Sequence, residues 1–175
     1  DYAGGIDDLR RAAALDPEES SRLDRLVDDF LARYAAAPVR DTAPYPGVLD
    51  VLDALAPRPL AVCTNKGRRV AELVLDALEI APRIRVLVAE DDLPVRKPDP
   101  RPLLFAAERL GVPPQRVLVV GDGLQDLAAA RAAGMPSCAV LQCYTRREVL
   151  LAADPDLVLE TIDLLPDAVR RAGEL

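Results

Sequence analysis

"VLVVGDGLQD" (residues 117–126) decides how this chain is read. Four apolar residues run into Gly121, and two carboxylates follow, Asp122 and Asp126, four positions apart. A short continuous apolar run that stops at a glycine and passes into a helical pattern reads as a buried strand of a parallel sheet followed by its crossover helix. Asp122 then stands at the strand tip and Asp126 in the first turn of the helix, so both acids address one spot beyond the strand's carboxyl end. In open sheets of this kind ligands bind at that edge.

The same pattern recurs outward in both directions. Strands are predicted at "LAVCT" (60–64) and "RVLVA" (85–89) before the opening stretch, and at "SCAVL" (137–141) and "LVLE" (157–160) after it. Between them lie helical patterns at 47–56, 68–80, 102–111 and 126–134, then a short one near 146–152 and a terminal one. Alternating strands and helices predict an α/β fold, a Rossmann-like parallel sheet with helices on both faces. Residues 5–36 predict an amphipathic helical hairpin. Its second helix has Asp16 as N-cap, Pro17 just inside, and Leu23, Leu26, Val27, Phe30, Leu31 and Tyr34 at helical spacing. "APVRDTAPYPG" (37–47) breaks helicity with three prolines and a glycine and reads as a hinge.

Composition narrows the chemistry. The 175 residues, 50% hydrophobic, suffice for one substantial core. No apolar run nears the roughly 18 residues that cross a bilayer, and no leader pattern is visible, so a cytoplasmic location is expected. A net charge of −7 with scattered arginines argues against nucleic acid or an anionic membrane as partner. Cys63, Cys138 and Cys143 lack metal spacing and read as reduced, mostly buried thiols. There is no histidine, which removes His-based triads and most zinc sites and leaves acid–base work to carboxylates or lysine. Among 22 basic residues the only lysines are Lys66 and Lys97, and the only asparagine is Asn65. A chain that writes its positive charge almost wholly as arginine has a chemical reason for each lysine.

Three stretches fall at carboxyl ends of predicted strands. In "LAVCTNKG" (60–67), Thr64 and Asn65 precede a helix, where a hydroxyl, free amides and the positive helix end can hold a phosphate; alternatively either residue caps the helix. In "PVRKPDP" (94–100), Pro98 and Pro100 stiffen the loop and place the Lys97 ammonium against a phosphate oxygen or a reactive carboxylate; alternatively Lys97 is solvated in a turn. In the opening stretch, the two acids repel unless a cation lies near. Magnesium suits them, since it takes one or two protein carboxylates and fills its remaining positions with water and substrate phosphate; alternatively either Asp caps the helix.

Together these stretches resemble the haloacid dehalogenase (HAD) superfamily, most closely its phosphoglycolate phosphatase-like branch. "TNKG" resembles motif II, "RKPDP" motif III and "VVGDGLQD" motif IV, with "PYPGV" where the family's helical cap returns to the core. The resemblance implies that Thr64 holds the transferring phosphoryl group with Asn65 beside it. It implies that Lys97 serves both the phosphate and the nucleophilic carboxylate, that Asp122 ligates Mg2+, and that Asp126 ligates the metal or orients its waters. It implies a partial helical cap over residues 1–45 and a HAD-like core over 46–175. Gly123 departs from the serine common in this branch, and the acidic pair argues against the dehalogenase branch, which needs no magnesium.

The larger departure is motif I, the strand and Asp-x-Asp that supply nucleophile and general acid ahead of the cap. The only Asp-x-Asp here is "DPD" (154–156), which precedes a strand and so belongs to the wrong edge of the sheet. Some tens of upstream residues are therefore expected to be missing. In the family that strand lies mid-sheet, so strands 60–64 and 117–121 are expected either to close up and pair directly or to have their slot filled by another segment. The expected function of the complete protein is a magnesium-dependent phosphomonoesterase acting through an aspartyl-phosphate, with a small phosphorylated metabolite as substrate. Phosphoglycolate is favoured by resemblance, phosphosugar mutase chemistry is open, and a homodimer is the oligomeric form considered. The rival is a catalytically inactive fragment or pseudoenzyme acting as a binding or oligomerisation module.

Overall fold

The computed structural model describes residues 17–40 and 42–173. Helix α1 spans Pro17–Ala36, as the apolar spacing predicts, with Glu18 and Glu19 in its first turn and Arg33 in its last, charges that oppose the helix dipole. The first helix of the expected hairpin, and Asp16 as its neighbour's N-cap, lie outside the described residues. After the hinge come α2 (Val48–Ala54), β1 (Ala61–Cys63), α3 (Arg68–Ala77), β2 (Val86–Val88) and α4 (Arg101–Leu110). Then follow β3 (Val119–Gly121), α5 (Leu124–Ala133), β4 (Ser137–Val140), α6 (Arg147–Ala152), β5 (Leu157–Leu159) and α7 (Leu165–Gly173). Every predicted strand is present, each trimmed by one or two residues.

All strand pairs are parallel, but the described strands form two sheets, β1–β2 and β3–β4–β5. Register runs Cys63 to Val88 in one, and Val120 to Cys138 and Ala139 to Val158 in the other. Of the two outcomes expected for strands 60–64 and 117–121, direct pairing does not occur, and no described strand of this chain fills the slot between them. Burial shows the consequence. β4, paired on both sides, is buried at all its positions, whereas β1 is only half-buried throughout and Val120 of β3 is 38% exposed. A mid-sheet strand covered on both faces would hide such a valine.

Packing across both faces, and not strand pairing, joins the halves. On one face α4 straddles the break. Its Ala106 and Leu110 pack on Val86 and Val88, while Leu103 and Ala107 pack with Val119, Ala129, Ala130 and Met135, and Cys63 touches both groups. On the other face Val51, Leu55 and Leu165 cover Cys138 and Leu159, with Leu60 and Leu118 drawn into the same cluster. α4, packed against both sheets, bridges the break between them.

No described helix is long and apolar enough to cross a membrane.

Candidate active site at the break between the sheets

The site is built where the two sheets part, at the carboxyl ends of β1 and β3. β1 continues one hydrogen bond beyond its last residue, the Thr64 amide donating to the Val88 carbonyl at 2.9 Å. The chain then turns, and the Thr64 hydroxyl oxygen accepts the Lys66 amide at 3.1 Å. That oxygen keeps its proton for an outside acceptor. Neither Thr64 nor Asn65 caps α3, whose N-cap is Gly67 without a side-chain bond. The Arg68 amide is instead taken by Asp91 Oδ1 at 2.8 Å. The capping explanation for this stretch therefore does not describe the fold.

Asn65 faces the loop that carries Lys97. Its Nδ2 donates to the Lys97 carbonyl (3.0 Å), and the Lys97 amide donates to its Oδ1 (3.1 Å). The Lys97–Pro98 peptide is cis. Asp99 accepts both the Arg101 amide and the Arg101 guanidinium, and the latter holds its carboxyl well down, at about 2. The "RKPDP" loop is thus pinned at both ends.

Lys97 is far from a solvated surface lysine: its side chain is only 10% exposed. The ammonium donates to the Cys63 carbonyl at 2.5 Å and to Asp126 Oδ1 at 2.6 Å. One cation thereby ties the end of β1 to the first turn of α5 across the break. Of its three N–H groups, two are engaged among the described residues and one is left for a ligand. Its neighbour Lys66 is exposed.

Asp126 is buried, and its position depends on Gly121. A Cβ at that residue would lie 2.6 Å from Asp126 Cβ, a clash no side-chain rotation relieves. Neither acid caps α5, because Gly123 is its N-cap and makes no side-chain bond. Asp122 is half-buried and faces the loop after β4. There burial, then the Asp122 charge and a hydrogen bond to Asp122, push the Cys143 thiol up to about 11, against a smaller opposite effect of a Tyr45 hydrogen bond. Tyr45 is pushed up in turn, first by burial and then by Cys143, Tyr144 and Asp122. All three cysteines are free, Cys138 buried and the other two half-buried.

Direct contacts join Lys97 to Asn65, to the Cys63 carbonyl and to Asp126, while Thr64 and Asp122 stand next to this cluster only as the chain neighbours of Cys63 and Gly121. Two hard carboxylates on one strand-to-helix turn suit magnesium, which takes no more than one or two of its ligands from the protein as carboxylates. Among the described residues no group of three or more His, Cys, Asp or Glu converges as a complete protein cage. Asp126 already spends one oxygen on Lys97, leaving Oδ2 for a metal or its water.

Sequence reasoning missed two contributors. The Arg68 guanidinium grips Asp92 through Nε (2.9 Å) and Nη2 (2.5 Å), reaches the Leu87 carbonyl, and meets Glu72, locking α3 to the turn after β2. The signal was available, since Arg68 and the "EDD" run at 90–92 each follow adjacent strands. Tyr45 and Cys143 carried no signal, because only the fold sets two distant loops beside Asp122. The "DPD" stretch behaves as expected of the wrong edge. Asp156 accepts the Ser137 amide and hydroxyl, both at 2.8 Å, at the amino ends of β4 and β5. A cavity of about 450 Å³ opens there, lined by Gln115, Arg131, Met135, Ser137, Asp154 and Asp156, at the edge away from Lys97.

The haloacid dehalogenase-like hydrolase family profile matches residues 2–134. Phosphoglycolate phosphatase of Escherichia coli K12 is 39% identical over 152 residues, which are 85% of this chain and 60% of that protein. The Xylella fastidiosa phosphoglycolate phosphatase is 42% identical over 146 residues, 82% of this chain and 64% of its own length. The crystal structure of a predicted phosphoglycolate phosphatase from Haemophilus somnus 129PT superposes with a TM-score of 0.77. It covers 94% of this chain and 73% of that one at 24% identity, a likeness of fold. The chain spans about 60% of the length of the curated relatives it matches. With a profile running through well over half of its residues and relatives near 40% identity, the chain belongs to the haloacid dehalogenase-like hydrolases.

Proposed function

We propose that the complete protein is a magnesium-dependent phosphomonoesterase acting on a small phosphorylated metabolite of the phosphoglycolate type. The Lys97 bridge carries this reading. A half-buried ammonium fixed between the Cys63 carbonyl and Asp126, with one N–H unspent among the described residues and the Thr64 hydroxyl following on the same strand, would be a partner for a phosphate dianion. The phosphoglycolate phosphatases among the relatives support that substrate class. Thr64 would donate its proton to a phosphoryl oxygen, its own oxygen being held by the Lys66 amide. Lys97 would offset charge on the transferred group. Asp122 and Asp126 would hold magnesium, which when bound supplies further neutralisation of the phosphate charge.

The nucleophile belongs, in this proposal, to an aspartate on a segment upstream of residue 1, seated as a strand in the slot between β1 and β3. Its carboxylate oxygen would form a bond to phosphorus as the ester P–O bond breaks, and water would then hydrolyse the aspartyl-phosphate. The exposed Val120, the half-buried β1 and the greater length of the relatives support this. Residues 1–45 would form the cap, of which α1 packs on α3. The proposal includes a cytoplasmic location, no nucleic-acid or membrane partner, and a homodimer as the oligomeric form to test.

The test is hydrolysis of 2-phosphoglycolate, sugar phosphates and para-nitrophenyl phosphate with Mg2+, by the longest natural chain and by residues 1–175 alone. The longer chain should turn over at least one ester, fall by about 10²-fold or more as Lys97→Ala or Asp122→Asn, and stop with chelator. Turnover by residues 1–175 alone would overturn the upstream nucleophile. The open break between the sheets favours one second reading, a binding module without catalysis. Inactivity of the longest chain on every ester, together with retained magnesium binding, would establish it.

A further inference from the structure

We propose that Asn65 is a positioning residue for Lys97: its amide side chain fixes the Lys97 main chain and thereby the reach of the ammonium, and does not serve as a phosphate ligand. The inference rests on the phosphatase reading only for what Lys97 does with its third N–H. The geometry itself is a closed pair. Asn65 Nδ2 gives to the Lys97 carbonyl and Asn65 Oδ1 takes from the Lys97 amide, at 3.0 and 3.1 Å, between residues 32 apart in sequence. The asparagine amide thus acts as a surrogate peptide group, bonded in both directions to one residue.

The far end of Lys97 is equally fixed, by the Cys63 carbonyl and Asp126. A lysine side chain loses rotamer freedom when held still. Anchoring its main chain removes the loop motion that would otherwise add to that loss. Swinging the Asn65 amide away from Lys97 would break both bonds of the pair, and only its second Nδ2–H stands outside that pair. The residue type follows from this demand. Aspartate has no donor for the Lys97 carbonyl, serine is too short to meet both groups, and lysine or arginine has no acceptor for the amide. The only asparagine in the chain stands at this position.

Two measurements on the longest natural chain test the proposal. The first is a double-mutant cycle on kcat/KM and on inorganic phosphate affinity in the presence of Mg2+. Asn65→Ala should cost about 10-fold with Lys97 present and less than about twofold in the Lys97→Ala background, the signature of action through a partner. Equal fold-losses in both backgrounds would mark a direct phosphate ligand and overturn it. The second needs no activity. Amine acylation followed by peptide mass spectrometry should show Lys97 labelled about 10-fold faster, relative to exposed Lys66, in Asn65→Ala than in the parent. An unchanged ratio would overturn the proposal. Should Asn65→Ala fail to fold, Asn65→Ser replaces it in both arms. A parent protein that hydrolyses no phosphomonoester while Asn65→Ala still exposes Lys97 would sink the phosphatase reading and leave this inference standing.

Discussion

Gly121 and Gly123 flank Asp122, yet they answer to different constraints. A methyl group at residue 121 would meet Asp126 Cβ at 2.6 Å, an atom fixed to the α5 backbone. One at residue 123 would first meet the amide end of Gln125, which can swing into solvent because Gln125 is exposed. Gly121→Ala is therefore expected to destabilise by about 1–3 kcal/mol in urea unfolding and to break the Lys97–Asp126 contact, while Gly123→Ala stays within about 0.5 kcal/mol. Asp92 supplies a pH prediction. Hydrogen bonds from Arg68 hold its carboxyl below the usual carboxylate range. Its folded-state value is depressed, so its stabilisation is complete above the unfolded value and fades as pH falls through the folded one. Asp92→Asn should cost about 1–2 kcal/mol at pH 7, and the gap to the parent should narrow as pH drops below about 4. A gap that is constant from pH 7 to 3 would show that Asp92 acts by shape alone.

Among the elements, helix ends show what could be read and what could not. Gly111 and Gly134 end α4 and α5 in the left-handed region, φ 70° and 65°, as a glycine after an apolar helical run announces. α3 ends the same way without a glycine. Glu79 takes φ 57°, and the Ile80 amide returns to the Leu75 carbonyl at 2.8 Å, so the helix stops at Ala77 instead of running to residue 80 as its apolar spacing suggests. Nothing in a glutamate marks that turn. Since a non-glycine residue there is strained, and Glu79 is exposed, Glu79→Gly should raise stability by about 1 kcal/mol. The check is the urea midpoint at constant m-value, and a fall in midpoint would mean that the Glu79 side chain earns more than its strain.

At the scale of the whole molecule, the break between β1 and β3 governs behaviour. β4 is paired on both sides and buried, β3 on one side only. The Val120 amide faces the break, and its exchange in residues 1–175 should be at least about 10-fold faster than at Cys138 and Ala139. In a longer chain that fills the slot the difference should shrink to near nothing. Equal protection in the short chain would mean the break is closed in solution by other means.

Apolar runs, glycines and prolines settled the strand and helix order, because period and backbone restriction are local properties that leave a local trace. The places of the candidate residues along the chain were legible for the same reason: Thr64 and Asp122 directly follow β1 and β3, Asp126 lies in the first turn of α5, and Lys97 lies in the loop before α4. Only tertiary structure decided that Lys97 is half-buried and held between Cys63 and Asp126, that Asn65 spends its amide on Lys97, and that Tyr45 and Cys143 adjoin Asp122. It also decided that the sheet parts instead of closing. Those outcomes depend on which distant segments share space, and α4, packed across both sheets, bridges the break through contacts that no single stretch of sequence contains.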